Sequence, residues 1–302
     1  MKKIVFILCS LFIATSIQSQ SYLIKFNFRK GSEFKQNLNS SMQITQEVSG
    51  QEMQINMGVK ATTTFKVTKA KDTLYEMDVK YSNMSMSMQM AGQANSPMLD
   101  DLMGKMFRQI EGKSFQISLS SSGNIISVRN LEQLFNHLFD SLPSLSQEQK
   151  EQFKIQISQA YGEASFKSSF KVSTSVFPSY AVQKGDQWAM NSKLISNYTF
   201  DVNSQFQLVD VDKEFYYIKA KSKLSTINQS DSSYSEVNGM SIRVMLNGVA
   251  ESTYKLDRKT AWIIESTTQQ TLQGSTEIKE TEQFKGGMKI PLKMTQTSTI
   301  KS

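Results

Sequence analysis

From Tyr22 onward the chain alternates. Tyr22, Ile24, Phe26 and Phe28 fall on one side, and Leu23, Lys25, Asn27 and Arg29 on the other. A helix scatters such a period-two pattern around its axis, whereas a strand half-buried on a sheet keeps it on two clean faces. Lys30-Gly31 then reads as a turn. The same alternation predicts strands near 33–48, 54–69, 73–90, 113–120 and 124–129. A second series is expected near 166–182, 187–199, 201–211, 214–227, 240–257, 261–272, 275–285 and 290–300. Short polar connections, Asp210-Val211-Asp212-Lys213 and Asp257-Arg258-Lys259, suit hairpin turns.

The two series look related. Lys30-Gly31-Ser32-Glu33-Phe34 matches Lys184-Gly185-Asp186-Gln187-Trp188, with strands 22–28 and 176–182 in step before them. Phe65 to Lys80 aligns without gaps on Phe206 to Lys221, pairing Val67 with Leu208 and Met77 with Ile218. Leu119 to Ile126 aligns on Leu256 to Ile263. The matches keep their order along the chain, as a duplicated meander would.

Helical patterns interrupt the strands. Asn130 can cap a helix over 131–141 whose Leu131, Leu134, Phe135, Leu138 and Phe139 form one apolar stripe. Pro143 breaks it. Ser144 or Ser146 can cap a second helix ending near Ala160, with Gly162 as its stop. A shorter helix over 97–107 would set Met98, Leu102, Met103 and Met106 on its apolar side. The expected fold is mainly β with a few helices (α+β): a large curved antiparallel sheet or half-barrel of two related β-meander halves with a helical insertion between them. The expected segments are a signal peptide over 1–19, a first meander over 20–129, the insertion over 130–162 and a second meander over 163–302.

The first twenty residues fix the expected compartment. Lys2 and Lys3 precede a short, mostly apolar stretch from Ile4 to Ile17, and polar Gln18-Ser19-Gln20 ends it. This is the pattern of a cleaved secretory signal, with cleavage expected after Ser19. Cys9 is preceded by Phe6-Ile7-Leu8 instead of the small residue a lipoprotein site needs, so lipidation is not expected. Cleavage removes the only cysteine, and the mature chain must fold by burial alone, without disulfides. No second apolar stretch reaches the roughly 20 residues of a membrane span. The expected location is exported, in the periplasm or outside the cell.

Charge argues against nucleic acid. The chain has 34 basic and 27 acidic residues, and loss of Lys2 and Lys3 lowers the net charge from +7 to +5. That charge is spread thinly, whereas nucleic-acid binding needs a concentrated basic face.

The inventory of reactive side chains argues against catalysis. The one histidine, His137, sits beside the apolar stripe of the 131–141 helix. No Gly-x-Ser-x-Gly elbow and no His-Glu-x-x-His motif occurs. Gly112-Lys113-Ser114 lacks the earlier glycine of a phosphate loop, since position 107 is Phe107. No catalytic residue, metal ligand or cofactor site is expected.

Methionine is the unusual feature. Of 16 methionines after the initiator, 11 lie between Met42 and Met106, and Met84, Met86, Met88 and Met90 recur at every second position. On a strand all four share a face. Methionine is a flexible core filler, and it is also over-used where a surface must repack around varied apolar partners. Its thioether could also hold Cu(I), though no histidine or cysteine stands near to assist.

With its signal segment, Lys-Gly turns and doubled meander, the chain resembles uncharacterised exported proteins of Gram-negative bacteria classed as domains of unknown function. In architecture it is similar to the periplasmic lipoprotein carriers, whose half-open antiparallel barrel holds acyl chains under helices. The likeness is one of fold alone; the excess of flexible apolar residues beside amphipathic helices in an exported chain is what points to a non-enzymatic envelope protein that binds an apolar ligand, lipid or lipidated partner. The residues expected to line the site are Met84, Met86, Met88, Met90, Met103, Met106, Phe107, Leu134 and Leu138. The alternatives are an interaction module of the envelope without a small-molecule site and, third, Cu(I) binding through methionines.

Overall fold

A computed structural model describes residues 20–48, 50–91, 104, 107–135, 146–174, 176–196, 198–227, 234–237, 240–281 and 285–302. The expected signal peptide over 1–19 lies outside the described residues. A short strand, β1 (Ser21–Tyr22), comes first and pairs with β7 (Val182–Gln183), much later in the chain. The first meander is β2 (Glu33–Val48), β3 (Gln51–Lys71), β4 (Leu74–Met90), β5 (Ser114–Ser120) and β6 (Ile125–Arg129). Helices α1 (Gln147–Tyr161) and α2 (Glu163–Thr174) follow. The second meander is β8 (Gln187–Ile195), β9 (Thr199–Val211), β10 (Phe215–Thr226), β11 (Ser235–Val237), β12 (Met240–Asp257), β13 (Ile263–Ile278) and β14 (Met288–Lys301).

One antiparallel sheet runs in the order β6-β5-β4-β3-β2-β14-β13-β12-β10-β9-β8, with β11 folded onto β12. The two meanders meet where β2 pairs with β14, Ser40 opposite Ser298, so they share a single sheet. The sheet does not close into a barrel, because β6 and β8 are not paired.

It is nevertheless strongly curved. Laid flat, β5 and β8 would be nine steps apart, about 43 Å at the usual strand spacing. Yet both touch neighbouring residues of α2. Phe115 on β5 meets the Phe166 ring edge-on at 5.0 Å, and the Ser168 hydroxyl accepts from the Ile195 N–H on β8 at 2.9 Å. The sheet therefore wraps round the helix. Lys167 Nζ also donates to the Ile126 carbonyl on β6 at 3.3 Å, so α2 stands in the seam between the two free edges.

The wrapped end is filled by a threaded segment. Residues 23–28 keep their alternation, with Ile24, Phe26 and Phe28 buried, but they join no ladder of the sheet. Instead the Phe26 N–H donates to Ser121 O at 2.8 Å, the Asn27 N–H to Thr260 O at 3.2 Å, and the Tyr75 hydroxyl to Phe26 O at 3.0 Å. The segment lies across the wrapped end between the two meanders, with Leu23, Lys25 and Asn27 exposed on its outer side, and Trp262 packs against Phe26, Phe28, Phe34 and Phe65 beneath it.

Three further expectations are corrected. Residues 163–174 form α2 instead of the start of a strand over 166–182. Phe166 and Phe170 lie four apart, so a helix brings both rings to Phe115 and Phe65, and tertiary contact decides between two permissible periods. The strands expected at 261–272 and 275–285 are one strand, β13, running through Gly274. At the 131–141 stripe the described part is a 3-10 turn over Glu132–Leu134 with Leu131, not Asn130, at its cap position and no side-chain cap bond; His137 and Leu138 lie outside the described residues.

The sequence relation between the meanders has a counterpart in their hydrogen bonds. The Gly31 N–H donates to Val67 O and Val67 N–H to Ser32 O; likewise Gly185 donates to Leu208 O and Leu208 to Asp186 O. Ser121 donates to Thr73 O as Arg258 does to Glu214 O. A bulge skips Thr68 between β3 and β4, and a matching one skips Val209 between β9 and β10. At the next turn Leu119 pairs with Ile125 and Leu256 with Ile263, so the second copy carries one extra turn residue there.

Candidate functional site

The register carries the inner face from strand to strand. Met88 lies opposite Met57, and Met57 opposite Met42. One step along, Met90, Ile55, Ile44, Met294 and Leu272 form the next row, and on the other side Met86 faces Val59. Met84, Met86, Met88 and Met90 are all half-buried, with Ser85, Ser87 and Gln89 exposed between them. The phase is set by a bulge at Asn83, whose φ is +50°. Before it Tyr75, Met77, Val79 and Tyr81 point inward at odd positions; after it the even-numbered methionines do.

This lane differs from the wrapped end of the same face. There Phe65, Val67, Met77 and Val79 are at most 3% exposed, whereas none of Met42, Met53, Met57, Ile44, Ile55 or the four methionines of β4 reaches the buried core. Each half-exposed apolar side chain forgoes on the order of 1 kcal/mol of the burial free energy available to it. Met84 touches the main core cluster and anchors the lane to it.

A polar belt borders the lane. Ser40 and Ser298 hydroxyls lie 2.7 Å apart, and Gln296 Nε2 donates to both, at 3.0 and 3.1 Å. The belt continues through Ser252 with Thr268 (2.9 Å) and Ser204 with Ser222 (2.8 Å). Two donors on this face, Gln36 Nε2 and Trp188 Nε1, are buried without a hydrogen-bond partner among the described residues. Burial pushes the Tyr81 hydroxyl up from its ordinary pKa of 10, and Tyr254 likewise, although Ser252 and Thr268 pull Tyr254 the other way.

The remaining expected site residues divide. Leu134 is buried in the main core and Phe107 is half-buried in the helical stretch 107–110, while Met103, Met106 and Leu138 lie outside the described residues. The residues missed were Met42, Ile44, Met53, Ile55, Met57 and Val59, which complete the lane. Their own i, i+2 spacing was visible in the sequence, but only the register shows that they adjoin β4.

Open clefts lie elsewhere. The one at the seam, about 630 Å3, is lined by Asn124, Lys167, Lys171, Asn191, Lys193 and Asp201, among others. Lys167 there is paired with Glu163 at 2.5 Å. At the far tip Arg243 pairs with Glu277 at 2.6 Å, and the Arg243 and Lys289 hydrogen bonds hold the Glu277 carboxyl below its ordinary pKa. Among the described residues no three of His, Cys, Asp and Glu gather as a metal site, and no helix is long and apolar enough to cross a membrane.

An open antiparallel sheet wound round a seam helix, with an apolar lane on its inner face, defines a half-barrel class of β protein. Within it, this chain belongs to a family of unknown function (DUF6263), whose model matches residues 72–263, from β4 to the start of β13. No curated protein matches the chain. Among solved structures, one of lipid–protein interactions in lipovitellin is similar at 8% identity and a TM-score of 0.47, over 90% of this chain and 25% of that one. The chain thus spans a quarter of the lipovitellin chain. Salmonella typhi OmpF in complex with daunomycin aligns at 8% identity and a TM-score of 0.23, over 91% and 99% of the two chains. An outer-membrane channel from Pseudomonas putida F1 aligns at 6% and 0.24, over 91% and 97%.

Proposed function

We propose that this is an exported, non-enzymatic envelope protein that holds an amphiphilic lipid, or the acyl chain of a lipidated partner, on the inner face of its sheet. The observation that carries the reading is the lane itself: a continuous row of half-buried methionine and isoleucine on β4, β3 and β2 beside a fully buried core. From Met84 to Met90 the lane runs about 20 Å, the reach of a long acyl chain. Methionine suits chains of differing shape because its three rotatable bonds let it repack. The adjoining belt of Ser40, Ser298 and Gln296 supplies polar groups for a head that the lane could not accept. Export is part of the proposal and rests on the Lys2-Lys3 start and the apolar stretch after it.

The test is a pair of charges on the lane. The double substitution Met86→Lys and Met88→Lys is expected to weaken binding of a fluorescent long-chain fatty acid at least tenfold, about 1.4 kcal/mol, because a ligand covering the lane would desolvate both ammonium groups. Both side chains are already half-exposed, so the fold is expected to hold. Equal affinity for wild type and variant would remove the lane from the account.

A second reading, an envelope interaction module without a small-molecule site, is favoured by one observation. The seam cleft and four others on the described residues are open, and the methionines of β4 line none of these five.

A further inference from the structure

Among the described residues, the lower half of β4 is itself an edge. Its partner on one side, β5, pairs only with Leu74 to Lys80, and no described strand lies beside Met84 to Met90 on that side. Among the described residues, the hydrogen bonds that cap this edge stop just short of it. The Gly112 N–H donates to Tyr81 O at 3.1 Å, and the Asn83 N–H donates to Glu111 Oε1 at 3.0 Å.

The direction of the remaining main-chain groups follows from the ladder. The Ala91 N–H donates to Gln54 O at 2.8 Å. Antiparallel pairs alternate between bonded and non-bonded, so Gln89 with Asn56, Ser87 with Gly58 and Ser85 with Lys60 are the bonded pairs. The N–H and C=O groups of Met86, Met88 and Met90 therefore point away from β3, toward the open edge.

Sheet edges are commonly protected by shortness, charge, proline or a cover. β6 is five residues long and ends in Arg129. β8 carries Lys193 and is bonded by Ser168 of α2. Residues 84–90, Met-Ser-Met-Ser-Met-Gln-Met, have neither charge nor proline in a chain that is 20% charged.

We infer that two copies of this chain pair antiparallel through the 84–90 edges of β4, joining their sheets across a two-fold axis. The sequence of the strip is self-complementary for this. In this strip the outward groups belong to the even positions, so every bonded register sets an even position opposite an even position, methionine against methionine. Both methionine faces then lie on the same side, and the two lanes become one apolar surface. An uncharged strip is also what two chains of equal positive net charge can bring together without repulsion. The pairing stands whether or not the lane takes a lipid.

Native mass spectrometry and light scattering on the whole protein are expected to give the mass of two chains. Met88→Pro removes an N–H that β3 does not use, so this variant is expected to keep the urea midpoint of the wild type and give the mass of one chain. In a Cys9→Ser background, single cysteines at Met86, Ser87 and Met88 are expected to yield a disulfide-linked dimer at the position nearest the axis. This third measurement decides the matter should Met88→Pro fail to fold. A wild type of single-chain mass throughout a dilution series overturns the inference, as does a dimer that survives Met88→Pro and forms no cross-link at these three positions.

Discussion

Trp262→Ala is expected to cost about 3–5 kcal/mol of folding stability, read from urea denaturation. The indole is 1% exposed and meets four rings: Phe26 and Phe28 of the threaded segment, Phe34 of β2 and Phe65 of β3. It also donates from Nε1 to the Ser302 hydroxyl at 3.1 Å, and that hydroxyl donates to Ile263 O at 2.8 Å. Its removal would leave a cavity where the two meanders, the threaded segment and the chain end converge. With a single cysteine in the sequence, no intrachain disulfide offsets the loss. A cost below about 1 kcal/mol would mean that the wrapped end is not the stabilising centre of the fold.

Gly274→Ala is the second large effect, at about 3 kcal/mol, from backbone crowding instead of a cavity. A Cβ on Gly274 would fall 1.8 Å from Met245 O, and one on Gly248 would fall 1.9 Å from Thr271 O. Both glycines sit in the ladder between β12 and β13, opposite Leu246 and Leu272. Glycine inside a strand marks a place where another backbone comes close, and here it allows β12 and β13 to press together. The expected outcome is a lowered urea midpoint for Gly274→Ala, whereas Val249→Ala, on the exposed outer face between them, changes stability by less than about 0.5 kcal/mol. Equal effects at the two positions would contradict the close approach.

Much of the fold was legible because alternation is a strong signal wherever one face is buried. β2 and β12 fall on the limits the pattern predicts, and most of the others differ by a few residues. The failures have physical causes. Phe166, Ser168, Phe170, Val172 and Thr174 alternate as a strand would, yet Phe166 and Phe170 also share a helix face, and the aromatic rings on β3 and β5 decide the outcome. Residues 22–28 have the side-chain pattern of a strand, but pattern cannot say whether the backbone bonds go to a neighbouring strand or, as here, to Ser121 and Thr260. The pattern was divided between 272 and 275 into two strands, and Gly274, which lies there, is instead a close approach within one.

The candidate site was legible only in part. Four methionines at every second position announced a shared face on β4, and their half-burial is seen there. Their neighbours on β3 and β2 depend on register, which no local pattern gives. Where β5 stops pairing with β4, at Lys80 with Ser114, leaves 84–90 without a described strand beside it, and that too is a long-range fact.

The most direct measurement of the central claim is native mass spectrometry of the protein purified gently from its own envelope, with lipid analysis of an organic extract. The account predicts added mass in whole-number ratio to the chain, released by extraction as an acyl-bearing molecule and absent from the Met86→Lys, Met88→Lys variant. Bare protein of unchanged mass, wild type and variant alike, would contradict it.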